Sequence, residues 1–383
     1  MSVTHPRGFS AAGVEAGLKS SGGKDFAVIV NEGPSSTAAA VWTSNRCKAN
    51  PVLWSEQALT DGHARALVVN SGGANCYTGT AGFQNTHATA DTTAELLDIS
   101  AADVIVCSTG LIGMLNDREA LLSGVTAAVG DLSAEGGPAA AEAIMTTDSH
   151  AKTAVVVRDG WSLGGIAKGA GMLAPGLATM LVFLTTDADV DPGTTDQALR
   201  AATSVTFDRL DSDGCMSTND AVVLMASGAS GVAPAYDDFA DAVRELCHEL
   251  AQQLLRDAEG ADHDIAITVV HAATEPDAVE VARSVARSNL FKCAVFGKDP
   301  NWGRILASVG TTTAAFDPTD LDVALNDVWV CRRSGPAVDR SLVDLEPREV
   351  TATIDLKAGA ATATVWTNDL THAYVHENSA YAS

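Results

Sequence analysis

Along most of this chain, short apolar runs alternate with stretches in which apolar positions recur every three or four residues. Phe26-Ala-Val-Ile-Val30, Ala38-Ala-Ala-Val-Trp42, Ala66-Leu-Val-Val-Asn70 and Val104-Ile-Val-Cys107 are continuous apolar runs of strand length, which predicts largely buried strands. Residues 87–97 and 118–129 have the length and alanine content of helices. Ala154 to Val157, followed by Arg158-Asp-Gly160 and a further run reaching Ile166, predicts a hairpin. Farther on, residues 191–205 and 237–257 are predicted helices; the second carries Phe239, Val243, Leu246, Leu250 and Leu254 at helical spacing. Residues 265–270 are a predicted strand and 276–288 a predicted helix. Strands then dominate, at Val323-Ala-Leu325, Val328-Trp-Val-Cys331, Val350-Thr-Ala-Thr-Ile354 and Ala361-Thr-Ala-Thr-Val-Trp366. Both element types occur without strict βαβ alternation, so the expected class is α+β layers, not a doubly wound parallel sheet.

Composition narrows the class. The 383 residues are 46% hydrophobic, enough for a large core divided between roughly two lobes. A formal charge of −24 argues against nucleic acid or an anionic membrane surface as partner, because both are bound by basic surface. An anionic substrate would have to be drawn by local cations, and the chain has only eight lysines. No apolar run approaches the length of a membrane span, and the opening Met1-Ser-Val-Thr-His-Pro-Arg-Gly lacks a signal-peptide centre; the expected compartment is the cytoplasm. Seven scattered cysteines without a Cys-x-x-Cys pair read as reduced thiols. His372 and His376 form a His-x-x-x-His pair in a strand-like terminal stretch with no third ligand evident, so no metal is expected.

One junction carries chemistry. In Lys168-Gly-Ala-Gly-Met-Leu-Ala-Pro-Gly-Leu-Ala178-Thr179-Met180-Leu181 a turn-rich loop runs into the apolar strand Met180-Leu-Val-Phe-Leu-Thr-Thr-Asp187. A threonine held there can attack the carbonyl before it and cut the Ala178–Thr179 bond. Its freed α-amine would then serve as internal base to its own hydroxyl. Read from spacing alone, the passage is an ordinary connection between elements, of the kind common before buried strands, with Thr179 as a strand starter.

The same passage, Lys-Gly-x-Gly-Met-x-x-Pro-x-x-Ala-Thr-Met-Leu, resembles the signature of the ArgJ family, the ornithine acetyltransferases or glutamate N-acetyltransferases. The resemblance runs from about residue 8 to 383. It includes Asn70-Ser-Gly-Gly-Ala-Asn75, Cys107-Ser-Thr-Gly-Leu-Ile-Gly113, Ile144-Met-Thr-Thr-Asp148, Ser217-Thr-Asn-Asp220, Phe296-Gly-Lys-Asp-Pro-Asn-Trp-Gly-Arg304 and Glu377-Asn-Ser-Ala-Tyr381. The residue types resemble the actinobacterial branch.

The resemblance implies an αββα-type layered sandwich of two interlocked lobes, self-cleaved into an α chain of residues 1–178 and a β chain of residues 179–383. It implies Thr179 as nucleophile, with Thr109 and Gly110 as oxyanion hole. Placed after the run 104–107, that pair reads otherwise as a turn capping the next segment, and its backbone N–H groups are the expected donors. Thr146, Lys168, Glu259, Asn378 and Ser383 become substrate contacts. Without the resemblance Lys168 reads as an exposed lysine and Glu259 as a solvated helix-end carboxylate, although a carboxylate there opposes the helix dipole. The tail reads as a frayed end, countered by Tyr374, Val375 and Tyr381. Residues 296–304 read as a structural turn, with Asn301 and Arg304 bonding backbone and Trp302 filling core.

The reaction so implied is transfer of acetyl from N2-acetyl-L-ornithine to L-glutamate in arginine biosynthesis, by a ping-pong route through acetyl-Thr179 and without cofactor. Some family members also take acetyl from acetyl-CoA. The implied assembly is a heterotetramer of two α and two β chains. A Thr-nucleophile amidohydrolase, a related acyltransferase of secondary metabolism and a non-catalytic amino-acid-binding paralogue are the alternatives. The chain departs from the family pattern at Gly73, at Ala151 and at Asp262-His263, which bears on the contacts near Glu259.

Overall fold

A computed structural model describes residues 2–172 and 180–380. In the N-terminal part come β1 (Phe9–Val14), β2 (Phe26–Asn31), β3 (Thr37–Trp42), α1 (Asn50–Ala58), β4 (Ala66–Asn70), α2 (Gly79–Leu97), β5 (Val104–Ser108), α3 (Arg118–Gly130), α4 (Gly137–Ala143), β6 (Lys152–Arg158) and β7 (Trp161–Lys168). After the junction come β8 (Leu181–Thr186), α5 (Pro192–Val205), β9 (Ala221–Ala226), α6 (Tyr236–Arg256), β10 (Asp264–Ala272), α7 (Glu275–Ala286), α8 (Asn289–Phe296) and α9 (Trp302–Val309). The chain closes with β11 (Asp322–Leu325), β12 (Val328–Arg332), β13 (Gly335–Pro336), β14 (Glu349–Asp355), β15 (Ala361–Asn368) and α10 (His372–Ala380).

Two sheets face each other. One has strand order β1-β2-β4-β5 and the other β3-β9-β8-β7-β6. Between them lies a core to which Ala27, Leu67 and Ile105 contribute from the first sheet and Ile166, Phe183 and Val223 from the second. Strands covered on both faces need no polar alternation, which is why β2, β8 and β9 are buried along their whole length. On the outer face of the four-stranded sheet, Val28, Val68 and Val106 pack with Ala90 and Ala94 of α2 and Val125 of α3. Beyond the five-stranded sheet, Leu163, Leu184 and Leu224 pack against Ala198 of α5 and Leu246 and Leu250 of α6. The sequence is thus helix, sheet, sheet, helix, and the expectation of an αββα-type α+β sandwich is borne out.

Strands from both sides of residues 173–179 share the five-stranded sheet. β7 pairs antiparallel with β8, from Lys168↔Leu181 to Leu163↔Thr186, and β3 pairs antiparallel with β9. A third sheet, β13-β12-β11-β14-β10-β15, belongs wholly to the C-terminal part and packs on α7, α8 and α9 around its own core.

Residues 372–380 correct one expectation. The strand-like stretch is the helix α10, with no buried side chain. Its first turn is secured by polar bonds, since the Tyr374 N–H donates to the Thr371 hydroxyl at 2.9 Å and that hydroxyl donates to the Gly260 carbonyl at 2.5 Å. The 296–304 passage is the turn between α8 and α9: Asn301 caps α9 by accepting the Arg304 N–H, Arg304 donates to the Leu290 carbonyl, and Trp302 packs on the third-sheet core. Among the described residues no helix is long and apolar enough to cross a membrane.

Candidate active site

β4 and β5 run parallel and end side by side at Asn70 and Ser108. The chain leaves β5 through Thr109, whose N–H donates to the Asn70 carbonyl at 2.9 Å. The expectation that this N–H points into a site is therefore corrected: it closes the strand end, and what Thr109 offers is its hydroxyl. Gly110 follows with φ +118°, a backbone region that side chains disfavour, and a Cβ there would lie 2.4 Å from the Gly72 carbonyl oxygen.

From the other sheet, β7 ends at Lys168. This lysine is only 1% exposed, so the ordinary reading of it as a solvated surface cation fails. Its Nζ lies 3.2 Å from the Thr109 hydroxyl oxygen, to which it donates. Burial pushes the Lys168 ammonium below its usual range, opposed chiefly by the charge of Asp148. Beyond it the loop passes close under Glu259: the Glu259 N–H donates to the Ala170 carbonyl at 2.9 Å, and a Cβ on Gly171 would come within 2.6 Å of the Glu259 carboxylate.

Glu259 itself is buried behind the end of α6 and accepts a 3.0 Å hydrogen bond from the Asn378 side-chain amide on α10. The bland reading of a solvated helix-end carboxylate fails here too. Thr109, Gly110, Thr146, Lys168, Glu259 and Asn378 all line one cavity of about 460 Å³. Six residues expected from widely separated parts of the chain meet there. Ala178, Thr179 and Ser383, the remaining expected site residues, lie outside the described residues. The covalent neighbour of Thr179 is described: the Met180 N–H donates to Asp220 Oδ1 at 2.9 Å.

Several residues that hold the site carry no role legible in the sequence. Asp220 is fully buried, and burial raises its carboxyl well above the usual range against the opposing Met180 N–H. Asn219 donates to the Ala74 carbonyl at 2.6 Å and the Ser108 carbonyl at 2.8 Å, tying the start of β9 to the end of β5. Both belong to Ser217-Thr-Asn-Asp220, a motif visible in the sequence without a partner to explain it. Asp148 and Lys152 form a buried pair at 2.6 Å; with Asp148 in a loop and Lys152 opening β6, their spacing of four residues, meaningful on a helix, does not mark it.

The Asp262-His263 departure turns out to be structural. His263 Nδ1 is 2.7 Å from the Asp369 carboxylate and its Nε2 is 3.1 Å from the Leu345 carbonyl. The N–H groups of Asp262 and His263 both donate to Asp369. Neither residue lines the cavity. Among the described residues no group of three His, Cys, Asp or Glu side chains is arranged to hold a metal.

The two-sheet sandwich and a cavity lined by a buried hydroxyl, a buried lysine and a buried carboxylate give an α+β fold with an enzyme-like pocket of small-molecule size. The chain belongs to the ArgJ family, which matches residues 10–383, as its motifs led one to expect. It is 63% identical over 383 residues to the arginine biosynthesis bifunctional protein ArgJ of Streptomyces coelicolor, covering the whole of both chains. The protein of the same name from Thermobifida fusca is 58% identical over 383 residues, again end to end. Among solved structures, the arginine biosynthesis bifunctional protein argJ of Bacillus halodurans is similar at 35% identity and a TM-score of 0.50, covering 52% of this chain and 98% of that one.

Proposed function

We propose that this enzyme moves acetyl from N2-acetyl-L-ornithine to L-glutamate through an acetyl ester on Thr179, after cutting its own Ala178–Thr179 bond. The observation that carries the reading is the meeting of Thr109, Lys168 and Glu259 in one cavity, with Lys168 paired in the sheet to Leu181, two residues after Thr179 in the chain. Acetylornithine presents a carboxylate to Lys168 and a side-chain ammonium to Glu259, and its acetyl carbonyl to Thr109 and Gly110.

In self-cleavage the Thr179 hydroxyl attacks the Ala178 carbonyl carbon, the C–N bond breaks, and its nitrogen leaves as the new α-amine. Water then hydrolyses the resulting ester, leaving chains of residues 1–178 and 179–383. That amine, with an ordinary α-amino pKa of about 7.7–8.0, is neutral in a useful fraction of molecules near neutral pH. In the first half-reaction it takes the hydroxyl proton as Thr179 Oγ1 attacks the acetyl carbonyl, and returns a proton to the departing ornithine amine. In the second, the glutamate amine attacks the acetyl ester and the hydroxyl is restored. One amide exchange is thereby split into two easier steps. The Thr109 hydroxyl and the Gly110 N–H are the donors for the developing oxyanion, each typically worth about 2.7–4 kcal/mol. The Gly110 N–H has no acceptor among the described residues. No metal or organic cofactor takes part. Acetyl-CoA is a second acetyl donor in this reading, in keeping with the word bifunctional in the relatives' names. The length match also supports processing, since a solved chain almost fully covered by this one spans only 52% of it.

Intact-mass measurement with and without acetylornithine is the test. Two fragments summing to the 39.3 kDa chain plus one water, with an acetyl adduct on the fragment beginning at Thr179, are expected. Added glutamate should remove the adduct as acetylglutamate. An uncut, unmodified but active chain would refute the reading, and release of free acetate instead of acetylglutamate would make the enzyme a hydrolase.

A further inference from the structure

Asp148 sits where three of the candidate substrate contacts converge, yet no step above uses it. Its side chain is fully sequestered from solvent. Oδ2 accepts the Thr146 N–H at 3.0 Å, and Oδ1 accepts both the Gly169 N–H and the Lys152 ammonium at 2.6 Å. Lys152 in turn donates to Asp257 Oδ2 at 2.5 Å, two residues before Glu259. One carboxylate thus fixes the backbone of Thr146 and of the residue after Lys168, and reaches the Glu259 turn through Lys152.

We infer that Asp148 is a positioning residue of the transfer site, holding Thr146 and the Lys168–Gly169 backbone in place and supplying the fixed negative charge against which Lys168 binds a substrate carboxylate. The inference rests on the proposed reading of Lys168 as the carboxylate partner. Burial alone would raise the Asp148 carboxyl. Lys168, Lys152 and the Gly169 N–H together outweigh that and hold it below the usual carboxylate range, so it is ionised whenever the enzyme works. Among the described residues, the charged groups that act on Lys168 are Asp148, Lys152, Asp220 and Glu259. Of these, Asp148 raises its proton affinity most, while Lys152, standing on β6 beside the same carboxylate, lowers it.

Two neighbouring substitutions should therefore move the enzyme in opposite directions. Asp148→Asn removes the supporting charge, so Lys168 loses its proton at lower pH; Lys152→Gln removes the opposing charge, so Lys168 keeps its proton to higher pH. The dependence of kcat/KM on pH reports groups of the free enzyme. The acid limb belongs to the Thr179 α-amine on the proposed reading and the alkaline limb to Lys168, so the two are read separately. For D148N the alkaline limb should move to lower pH and the KM for acetylornithine should rise about tenfold, the worth of one charge-assisted hydrogen bond. For K152Q the alkaline limb should move to higher pH. A merely structural role would lower stability in both variants without opposed limbs.

Lys168→Met separates the inference from the reading beneath it. If K168M leaves the KM for acetylornithine unchanged, Lys168 is not the carboxylate partner and the reading fails. If K168M raises that KM while the limbs of D148N and K152Q coincide with the wild type or move the same way, the inference about Asp148 is overturned and the reading stands. Should D148N yield no folded protein, K152Q decides alone: an alkaline limb at higher pH supports the inference, and an unmoved one overturns it.

Discussion

Lys168 and Glu259 place one charge of each sign at the same cavity, both removed from bulk water. Charges this buried are costly unless paired, and each has a built support: Lys168 the Thr109 hydroxyl, Glu259 the Asn378 amide. Of the two substrates proposed, only the acetyl donor carries an ammonium on its side chain; glutamate carries a second carboxylate instead. Glu259→Gln keeps the shape of the side chain and the bond from Asn378 but removes the charge. A charge-assisted hydrogen bond is worth about 1.5–3 kcal/mol, so the KM for acetylornithine should rise roughly ten- to a hundredfold. The KM for glutamate, read from acetyl-enzyme turnover, should change far less. Equal losses for both substrates would assign Glu259 to a position common to them and not to the ornithine side chain.

The elements place these side chains through strand ends. β4 and β5 stop together, and the backbone that leaves them crosses so closely that a side chain at position 110 is strained. Gly110→Ala would set a Cβ against the Gly72 carbonyl and demand a positive φ from alanine, so the strand end must shift by a few tenths of an ångström or more. A donor of the proposed oxyanion hole moves with it. In a variant that still shows native circular dichroism, kcat should fall about 10²- to 10³-fold, the typical worth of one such donor, while KM changes little. At this scale the sequence was most readable where apolar runs were continuous. β2, β4, β5 and β8 appear where Phe26-Ala-Val-Ile-Val30 and its like predict them, and α5 begins behind Asp191, which caps it by accepting the Thr194 N–H. α10 was misread because its stability comes from Thr371 and not from an apolar face, so no periodicity marks it. The burial of Lys168 was invisible for a related reason. Its supports, Thr109 and Asp148, come from other elements, 59 and 20 residues away in sequence. The motif around Thr109 was legible; that its N–H is spent on Asn70 depends on how two parallel strands end together, and no local pattern records that.

For the molecule as a whole, the decisive feature is that the proposed cut falls between strands of one sheet. β3, β6 and β7 precede residue 178, β8 and β9 follow residue 179, and β7–β8 pairing runs over six residue pairs. Both principal cores of the sandwich mix side chains from the two segments: Leu163 with Leu184 in one, Ile166 with Phe183 in the other. Burying a side chain such as Leu or Phe contributes about 1.5–3 kcal/mol, so the apolar contacts across the divide far exceed what two separate chains could forgo. Cleavage should therefore change covalent structure without releasing either half. Mature enzyme should elute as one species in gel filtration and give two bands on a denaturing gel, and native mass should show α and β chains in equal number, two of each if the heterotetramer forms. Dilution alone should not part them; denaturant should, at the same concentration that abolishes activity and far-ultraviolet signal. Fragments that separate under native conditions while the C-terminal one keeps amide-exchange protection in β8 and β9 would mean that the cut lies elsewhere than between β7 and β8, because a chain starting at Thr179 cannot keep those two strands in a sheet that has lost its other three, although the third sheet has its own core.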